Sequence, residues 1–372
     1  MTDKKKVLIL TDKLNIGGYD IVAYNLQRNL DKEKFEVTYL VRDDKIGPLE
    51  QSAIDSGAKV IHQPKDTLSY FKSYFYLKEL LKKNKYDIIH SHLMFYSGIA
   101  MKAAYKCKVP KRVSHSHFTD PCIQNRSKLK IFIASVYHTV MRLWIRKYAT
   151  DYIGCGPEAG EYLFGKKLFN KKGILLNNGI YTDEFSFETD KRDKVRNEFN
   201  LEDKLVLGHV GHLNYIKNHK FLVDVFYEFQ KSHPDSVLLI VGDGEQRANI
   251  ESKSKELGID DKVIITGIRT DVDELLCAMD CFVFPSLKEG FPLTLVEAQA
   301  TKLPCVISDS VTKSAKLNSN IEYLPLNEKT KIWTDTIYQL IQIDRATIDN
   351  SKLIDEFDIK ICAKKLEKIY LS

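Results

Sequence analysis

Residues 285–297 read Pro-Ser-Leu-Lys-Glu-Gly-Phe-Pro-Leu-Thr-Leu-Val-Glu, with two carboxylates eight residues apart around a Gly-Phe-Pro turn. The preceding apolar run, residues 281–284, predicts a buried strand that ends at Pro285, and residues 294–300 have the composition of a helix. Glu289 is therefore expected in a loop at the carboxyl end of a strand, and Glu297 within the following helix. In open α/β sheets, ligands bind outside these strand ends, and the free N–H groups of a helix start favour anions.

This loop and helix suit a diphosphate that carries a sugar and a nucleoside. The Glu289 carboxylate can accept hydrogen bonds from vicinal sugar hydroxyls, and Glu297, about two helical turns further on, can reach a ribose diol roughly 10 Å away. Two alternatives remain: a solvated loop glutamate beside an ordinary helix glutamate, and a hydrolase that uses both as paired acids. The spacing does not establish the carboxyl separation that such a hydrolase requires.

Further motifs follow one another along most of the chain. They are Asn15-Ile16-Gly17-Gly18, His115-Ser116-His117, Val210-Gly211, Lys217-Asn218, Gly242-Asp243-Gly244, Gly267-Ile268-Arg269-Thr270-Asp271-Val272 and residues 285–306. In this order they resemble the retaining glycosyltransferases of the GT-B fold. The resemblance is closest to the family 4-like, EpsF-like group that builds capsule, exopolysaccharide and lipopolysaccharide chains.

The resemblance implies a role for each motif. Glu289, His117 and Lys217 are the expected catalytic residues: Glu289 orients the transferred sugar, His117 contacts it near its 6-hydroxyl, with His115 as the alternative in register, and Lys217 binds the diphosphate. The expected donor-binding residues are Gly17, Gly18, His212, Lys217, Ile268, Arg269, Glu289, Gly290, Phe291, Leu293, Thr294 and Glu297. Asp271 is expected to cap the following helix.

His212 departs from the family pattern. Relatives usually have Arg at this position, where it grips the diphosphate together with a lysine that matches Lys217. Arginine is always charged, whereas an imidazole with its usual pKa of about 6.5 is only partly charged at neutral pH. The main alternative to an active enzyme is therefore a catalytically inactive nucleotide-sugar-binding scaffold. A GT-B epimerase or phosphorylase is a further alternative, although a phosphorylase normally needs a pyridoxal-binding lysine segment, which we do not find.

The strand and helix pattern predicts an α/β protein with two doubly wound, Rossmann-like parallel sheets, which the resemblance places in a GT-B arrangement facing a cleft. Strands are predicted at residues 7–11, 36–41, 59–62, 88–90, 111–114 and 152–154, and then from about 206, at 237–241, 262–266, 281–285 and 305–308. A chain of 372 residues is long for one core. We expect an acceptor-binding, membrane-facing domain at residues 1–180, a nucleotide-sugar-binding domain at 181–350, and a helix at 351–372 that crosses back to the first domain.

The charge is unevenly distributed. Residues 1–180 contain 31 Lys and Arg against 17 Asp and Glu, a net charge of +14, and residues 181–372 carry −8. Basic and bulky apolar residues alternate at helical spacing in residues 125–148 and 70–85, as they do in interfacial helices, although two core helices with solvated lysines are the alternative. We expect an anionic membrane surface as a partner of the first domain, and no nucleic acid, because no zinc finger or RNA-binding signature occurs.

Cysteine usage indicates the compartment. The seven cysteines are scattered, with no CxxC pair, which predicts a reducing cytosol. The first apolar run, residues 7–10, is too short for a signal peptide, and no run approaches the roughly 18 apolar residues of a transmembrane helix. A cytoplasmic protein associated peripherally with the inner face of the cell membrane is predicted.

Two His-Ser-His triplets, His90-Ser91-His92 and His115-Ser116-His117, place their imidazoles on one face of an extended segment. Four imidazoles could bind zinc, but neither triplet has a carboxylate or thiolate beside it. We therefore predict no metal and no cofactor. The substrates expected from the resemblance are a nucleotide-sugar donor, with UDP as its nucleotide, and a growing, lipid-linked glycan acceptor.

Overall fold

The computed structural model describes residues 4–16, 18–118, 128–289 and 291–372, without the side chains of residues 128 and 129. The chain divides into two compact units. The first unit contains Met1–Gly179 and Ile359–Ser372, and the second contains Ile180–Asp358.

The first unit is built on a parallel sheet of seven strands. These are β1 (Lys5–Thr11), β2 (Phe35–Val41), β3 (Lys59–His62), β4 (Ile88–Ser91), β5 (Lys111–Ser116), β6 (Asp151–Gly154) and β7 (Gly173–Leu175), in the order β3-β2-β1-β4-β5-β6-β7. The connecting helices are α1 (Gly18–Arg28), α2 (Glu50–Asp55), α3 (Tyr70–Asn84), α4 (Ser97–Lys106), α5 (Lys128–Tyr148), α6 (Pro157–Phe164) and α7 (Lys166–Lys172). Central strands such as β1 are apolar and buried, as expected for strands covered on both faces.

The second unit repeats this architecture with six parallel strands. They are β8 (Leu205–Val210), β9 (Ser236–Val241), β10 (Val263–Ile265), β11 (Cys281–Phe284), β12 (Cys305–Ser308) and β13 (Ile321–Leu324), in the order β10-β9-β8-β11-β12-β13. Its helices are α8 (Thr189–Phe199), α9 (His219–Gln230), α10 (Arg247–Glu256), α11 (Val272–Ala278), α12 (Leu293–Ala300), α13 (Thr330–Leu340) and α14 (Ser351–Phe357). The two doubly wound parallel sheets predicted from the sequence are confirmed. Sequence reasoning missed β13, an edge strand with the polar pattern Ile-Glu-Tyr-Leu.

The C-terminal segment differs from the single helix expected at 351–372. The helix is interrupted at Asp358. As a result, α14 belongs to the second unit, and only α15 (Ile359–Leu371) packs on the first unit. The Phe357 ring stacks on Phe291 in the second unit, with ring centroids 5.2 Å apart. In the first unit, the Tyr370 hydroxyl lies 2.7 Å from His90 Nδ1. The return to the first unit thus begins eight residues later than expected.

Candidate active site

The loop that carries Glu289 is fixed to the turn that carries Lys217. After β11, the Leu287 N–H donates a hydrogen bond of 2.8 Å to the Ile216 carbonyl. Ile216 lies in a short 3-10 turn after β8, and this turn begins where the Asn214 side chain accepts a 3.1 Å hydrogen bond from the Lys217 N–H. Both segments leave the carboxyl ends of neighbouring strands, so the fold brings them together at the edge where ligands bind in such sheets.

Lys217 and Glu289 form an ion pair. Lys217 Nζ lies 2.8 Å from Glu289 Oε1, and the two side chains are only 14% and 16% exposed. The ammonium also lies 4.4 Å from the centre of the Phe284 ring, at the end of β11. Because both groups are largely removed from water, each compensates a charge that would otherwise be costly to bury.

Two glycines make room for this pair. A Cβ atom on Gly211 would lie 3.1 Å from Lys217 Cε and 3.5 Å from His209 Nε2. Gly242, the first glycine of the Gly-Asp-Gly motif, has a φ of +140°, and a Cβ there would lie 2.0 Å from the Gly211 carbonyl oxygen. Glycine at 211 thus leaves room for the Lys217 side chain, and glycine at 242 allows the ends of β8 and β9 to approach closely.

Helix α12 begins after the Glu289 loop and contains three of the other predicted donor residues, Leu293, Thr294 and Glu297. Thr294, in its first turn, has a buried hydroxyl without a hydrogen-bond partner in the described part of the chain, and Leu293 is partly buried. The Phe291 ring is used in packing against Phe357. One helical turn further, burial raises the pKa of the Glu297 carboxyl to about 7. Gly290 lies outside the described residues.

His212 is exposed, in contrast to Lys217. Its side chain is 64% exposed and its Nε2 lies 3.5 Å from Glu245, which is 61% exposed. The position predicted to carry the second diphosphate-binding cation therefore holds an imidazole beside a carboxylate.

The loop after β10 carries the two residues predicted at the nucleobase. Ile268 is 81% exposed. The Arg269 guanidinium is bound by Glu198 at 2.7 Å and by Asp271 at 2.6 Å, so its charge is already compensated within the second unit. Asp271 does occupy the N-cap position of α11, but its side chain makes no capping hydrogen bond, because it pairs with Arg269. The capping role expected for its side chain is wrong.

In the first unit, Gly18 opens α1 with a φ of +57°, and a Cβ built on it meets no atom within 4 Å. The space in front of this glycine is open, which permits a ligand to approach the backbone. The first glycine of the pair, Gly17, lies outside the described residues. Nearby, the buried Asp20 carboxylate accepts hydrogen bonds from the Thr11 hydroxyl and the Asn15 N–H and so fixes the loop before α1.

The four histidines of the two triplets form a buried ladder at the ends of β4 and β5. His92 Nδ1 lies 2.8 Å from His117 Nε2, and His90 Nε2 lies 3.2 Å from His115 Nδ1. Burial lowers the pKa of all four imidazoles, to about 3 for His90 and His117. They are therefore neutral at neutral pH. His115 is wholly buried within β5, whereas His117 follows the strand and is 9% exposed, which favours His117 over His115 as the residue that can reach a ligand.

Comparisons with known families cover most of the chain. The family Glycosyltransferase Family 4 matches residues 16–184, and the family Glycosyl transferases group 1 matches residues 190–324. The N-acetyl-alpha-D-glucosaminyl L-malate synthase of Bacillus anthracis is 34% identical over 313 residues, which cover 78% of this chain and 76% of that protein. The chain belongs to the group 1 and family 4-like glycosyltransferases of the GT-B fold.

Other relatives of this glycosyltransferase match over most of their length. EpsF of Bacillus subtilis (strain 168) is 29% identical, covering 90% of this chain and 88% of EpsF. The UDP-Gal:alpha-D-GlcNAc-diphosphoundecaprenol alpha-1,3-galactosyltransferase of Escherichia coli is 28% identical, covering 79% and 76%. Among solved structures, Anabaena Alr3699/HepE in complex with UDP and glucose superposes with a TM-score of 0.79 at 16% identity, covering 99% of this chain and all of that one. The structural likeness supports the GT-B fold.

The histidine ladder of this glycosyltransferase also bears on metal binding. Ligand atoms of His90, His92 and His115 lie within 4.8 Å of one another, and no other such group of three occurs in the described residues. However, the ring-to-ring hydrogen bonds already engage one nitrogen of each of the four imidazoles. This arrangement favours a hydrogen-bonded ladder over a metal site.

Sequence reasoning missed one residue of this glycosyltransferase site. Asn178 was not among the predicted site residues, yet its side chain is buried and lies beside His117. The sequence signal at this point, Asn-Asn-Gly, is the ordinary signature of a turn. It gave no reason to connect Asn178 with a histidine 61 residues earlier.

Proposed function

We propose that this glycosyltransferase moves a hexose or N-acetylhexosamine from a UDP-sugar to a hydroxyl of a growing, lipid-linked bacterial surface glycan, with retention of anomeric configuration and without a divalent cation. The observation that carries the proposal is the buried Lys217–Glu289 pair at the carboxyl ends of β8 and β11. The pair places the Lys217 ammonium, which can bind a diphosphate, beside the Glu289 carboxylate, which can accept hydrogen bonds from sugar hydroxyls.

The chemistry follows from the leaving group. The acceptor oxygen forms a bond to the anomeric carbon while the bond from that carbon to the phosphate oxygen breaks, and a phosphate oxygen takes the acceptor proton. Negative charge then develops on the β-phosphate, where Lys217, the free N–H groups of α12 and His212 stabilise it. Because these groups supply positive charge, no divalent cation is needed. Glu289 orients the sugar, and Glu297 holds the ribose.

UDP is proposed as the nucleotide on the strength of two comparisons. The E. coli relative is named for UDP-Gal, and HepE was solved with UDP and glucose. In this chain, the exposed Ile268 side chain provides an apolar surface for the nucleobase. The identity of the sugar follows from pocket shape and is left to the experiment below.

The relatives suggest two kinds of acceptor. The E. coli relative is named for an acceptor on diphosphoundecaprenol, and the B. anthracis relative is named for L-malate. A surface of the first unit favours the lipid. Helices α3 and α5 meet where the Tyr70 and Tyr137 rings stack at 4.5 Å, and both present large exposed apolar side chains. This apolar patch consists of Tyr70, Phe71, Phe75, Ile131, Phe132, Ile133, Val136, Val140 and Leu143.

The apolar patch is flanked by basic residues. Lys72, Lys82, Lys83, Lys130, Arg146 and Lys147 are exposed on the same two helices. Apolar side chains that enter the headgroup region, with lysines beside them, are typical of proteins bound to anionic membranes. Among the helices of the described residues, none combines the length and apolarity that crossing a bilayer requires. Peripheral attachment through this patch, at the cytoplasmic face, is the localisation we propose.

A nucleotide-sugar-binding scaffold without catalysis is the second candidate. The observation in its favour is His212, which is exposed and paired with Glu245 where relatives usually have arginine. An imidazole in this position stabilises a diphosphate leaving group less than a guanidinium does. A scaffold would bind the nucleotide and release no sugar.

One experiment separates these candidates. The purified protein is mixed with UDP-glucose, UDP-galactose, their N-acetyl forms and GDP-mannose in EDTA, and thermal stabilisation and slow donor hydrolysis are scored together. We expect one UDP-sugar to give both, and product formed with an undecaprenyl-diphosphate-linked acceptor to keep the donor's anomeric configuration by NMR. Stabilisation by UDP without turnover, with that acceptor present, would favour the scaffold. Turnover only after a divalent cation is added would contradict metal independence.

A further inference from the structure

His209 lies where two strands of the second sheet part. The pairing of β8 with β11 ends at Gly208 and Phe282, whereas β8 stays paired with β9 up to Val210. Beyond this end, the His209 side chain links the two strands, because its Nδ1 lies 2.9 Å from the Val283 carbonyl oxygen of β11. In sheets with this strand order, the crevice that binds ligands opens between the same two strands.

The position of the His209 proton follows from this contact. A carbonyl oxygen can only accept, so Nδ1 carries a proton and donates it to Val283. The imidazole is wholly buried and stacked on Phe284 at a centroid distance of 5.5 Å, and this burial holds its pKa well below the usual value. Among the described residues, the titratable groups beside it are the buried His219 imidazole and the Lys217 ammonium, which both disfavour a second proton. His209 is therefore neutral, with an unprotonated Nε2.

This Nε2 borders the space that Gly211 leaves beside Lys217. It lies 3.5 Å from the point that a Cβ on Gly211 would occupy, and Lys217 Cε and Nζ lie 3.1 Å and 3.6 Å from the same point. Within the described residues, Nε2 is buried without a hydrogen-bond partner. The Lys217 ammonium has three protons and one anionic partner, Glu289. A buried acceptor and an ammonium with unused donors thus face the same small space.

We propose that His209 is a positioning residue for Lys217. Its Nδ1–H joins β8 to β11, and its Nε2 accepts a hydrogen bond from the Lys217 ammonium when a diphosphate is bound. The three ammonium protons are then used by Glu289, the diphosphate and His209. Because His209 is neutral, it directs the ammonium without repelling its charge. This inference rests on the proposed function for the diphosphate, but the state of the imidazole can be measured without any ligand.

Imidazole ¹⁵N chemical shifts test the state of the ring. In protein labelled with ¹⁵N-histidine, the His209 signals are assigned by their loss in His209→Asn. We expect a protonated Nδ1 and an unprotonated Nε2 that do not change between about pH 5.5 and about pH 8.5 in the free protein. A proton on Nε2, or titration in this range, would overturn the inference.

The same spectra test the contact with Lys217 when UDP is added. The Nε2 signal should move upfield, as an unprotonated imidazole nitrogen does when it accepts a hydrogen bond. An unchanged Nε2 signal in protein that calorimetry shows to be saturated with UDP would refute the contact. Failure of UDP to bind at all would count against the proposed function instead, and the spectra of the free protein would still decide the state of His209.

Binding of UDP and of uridine separates positioning from general packing. His209→Phe keeps a stacked ring but loses both nitrogens, and His209→Asn keeps an N–H donor in place of Nδ1 but loses Nε2. We expect both variants to bind UDP about tenfold more weakly than wild type, and uridine, which lacks the diphosphate, within about twofold. His233→Phe is the matched control, because it replaces an imidazole stacked on Phe229 at 4.2 Å in the same unit.

The two His209 variants also show which part of the inference fails. Equal losses for UDP and uridine would reduce the effect to packing and overturn the positioning role. Wild-type affinity of His209→Asn for UDP would mean that only the hydrogen bond to Val283 matters, and it would refute the contact with Lys217. If His209→Phe does not fold, His209→Asn and the ¹⁵N spectra of the wild-type protein decide the question.

Discussion

Lys217 Nζ and Glu289 Oε1 lie 2.8 Å apart in the second unit, although 72 residues separate them in the sequence. We proposed above that these two charges bind different parts of a donor, and the ion pair prepares both of them before the donor arrives. Each holds the other in a single geometry, which limits the reorganisation required on binding. In the proposed donor complex, Lys217 gains the diphosphate as a second anionic partner, and Glu289 binds the sugar hydroxyls.

Glu289→Gln should separate binding from transfer. The amide leaves Lys217 without its anionic partner, so the affinity for UDP should stay within about threefold of wild type or increase, whereas kcat should fall by at least about a hundredfold. Calorimetry with UDP and a transfer assay measure the two effects. Glu228→Gln is the matched control, because Glu228 forms an exposed pair with Lys231 at 2.7 Å in the same unit. Transfer at the wild-type rate by Glu289→Gln would refute the sugar-orienting role.

His212→Arg should tighten donor binding in a pH-dependent way. A guanidinium is charged at both pH 6 and pH 8, whereas an imidazole loses most of its charge over this range. We expect binding about fivefold tighter than wild type at pH 8 and within about twofold at pH 6. Affinity for UDP, measured at both pH values, is the readout, with Glu245→Gln as a control for the neighbouring carboxylate at 3.5 Å. An equal gain in affinity at pH 6 and pH 8 would contradict this prediction.

Glu297→Gln should stabilise the free protein at high pH. Burial raises the pKa of this carboxyl from 4.5 to about 7, so the folded state binds the proton more tightly than the unfolded state. Stability from this group is therefore greatest below pH 4.5 and is lost as the pH rises through 7, by as much as about 3 kcal/mol. We expect Tm of Glu297→Gln to exceed that of wild type by about 5 °C at pH 8 and to match it near pH 4.5.

The same substitution should weaken UDP binding, because it removes the carboxylate proposed to hold the ribose. Glu256→Gln, on the exposed face of α10, serves as the control and should leave both Tm and affinity unchanged. A Tm difference between variant and wild type that is the same at both pH values would show that burial does not raise the pKa of the Glu297 carboxyl.

Gly242→Ala should be far more destabilising than Gly57→Ala. Both glycines have positive φ, +140° and +98°, and both substitutions therefore carry backbone strain. Only at Gly242 would the new Cβ meet backbone, 2.0 Å from the Gly211 oxygen, since nothing lies within 4 Å of Gly57. We expect a cost of about 1 kcal/mol for Gly57→Ala and at least about 3 kcal/mol for Gly242→Ala, measured by thermal unfolding. Equal losses of stability for the two variants would mean that the ends of β8 and β9 can move apart at little cost.

Phe71→Ser with Phe132→Ser should weaken membrane binding. The Phe71 and Phe132 side chains are 76% and 66% exposed in the apolar patch. Replacing either ring by serine should reduce the free energy of insertion into the membrane by about 2 kcal/mol. Flotation with anionic vesicles is expected to show at least a tenfold loss of binding, while UDP affinity stays unchanged. Ile46→Ser, at a residue that is 81% exposed elsewhere in the first unit, is the matched control and should have no effect. Equal losses of vesicle binding in the double variant and in Ile46→Ser would contradict a specific membrane-docking surface.

The sequence by itself determined the two parallel sheets and the positions of the main donor motifs. Buried parallel strands such as β1, β9 and β11 are short apolar runs between amphipathic helices, and this pattern is local. The loop position of Glu289 followed from the strand before it and the helix after it. The break at Asp358 was not recognised, because α14 and α15 have similar helical periodicity and differ only in the unit on which they pack.

Only the tertiary structure decided which side chains meet. The ion pair of Lys217 with Glu289, the ion pair of Arg269 with Glu198, and the contact between the His92 and His117 rings all join segments far apart in the sequence. Such contacts depend on strand order and register, which place β11 beside β8 and β5 beside β4. The sequence therefore specified the chemical groups of the site, whereas packing between strands set their partners and, through burial, their protonation states.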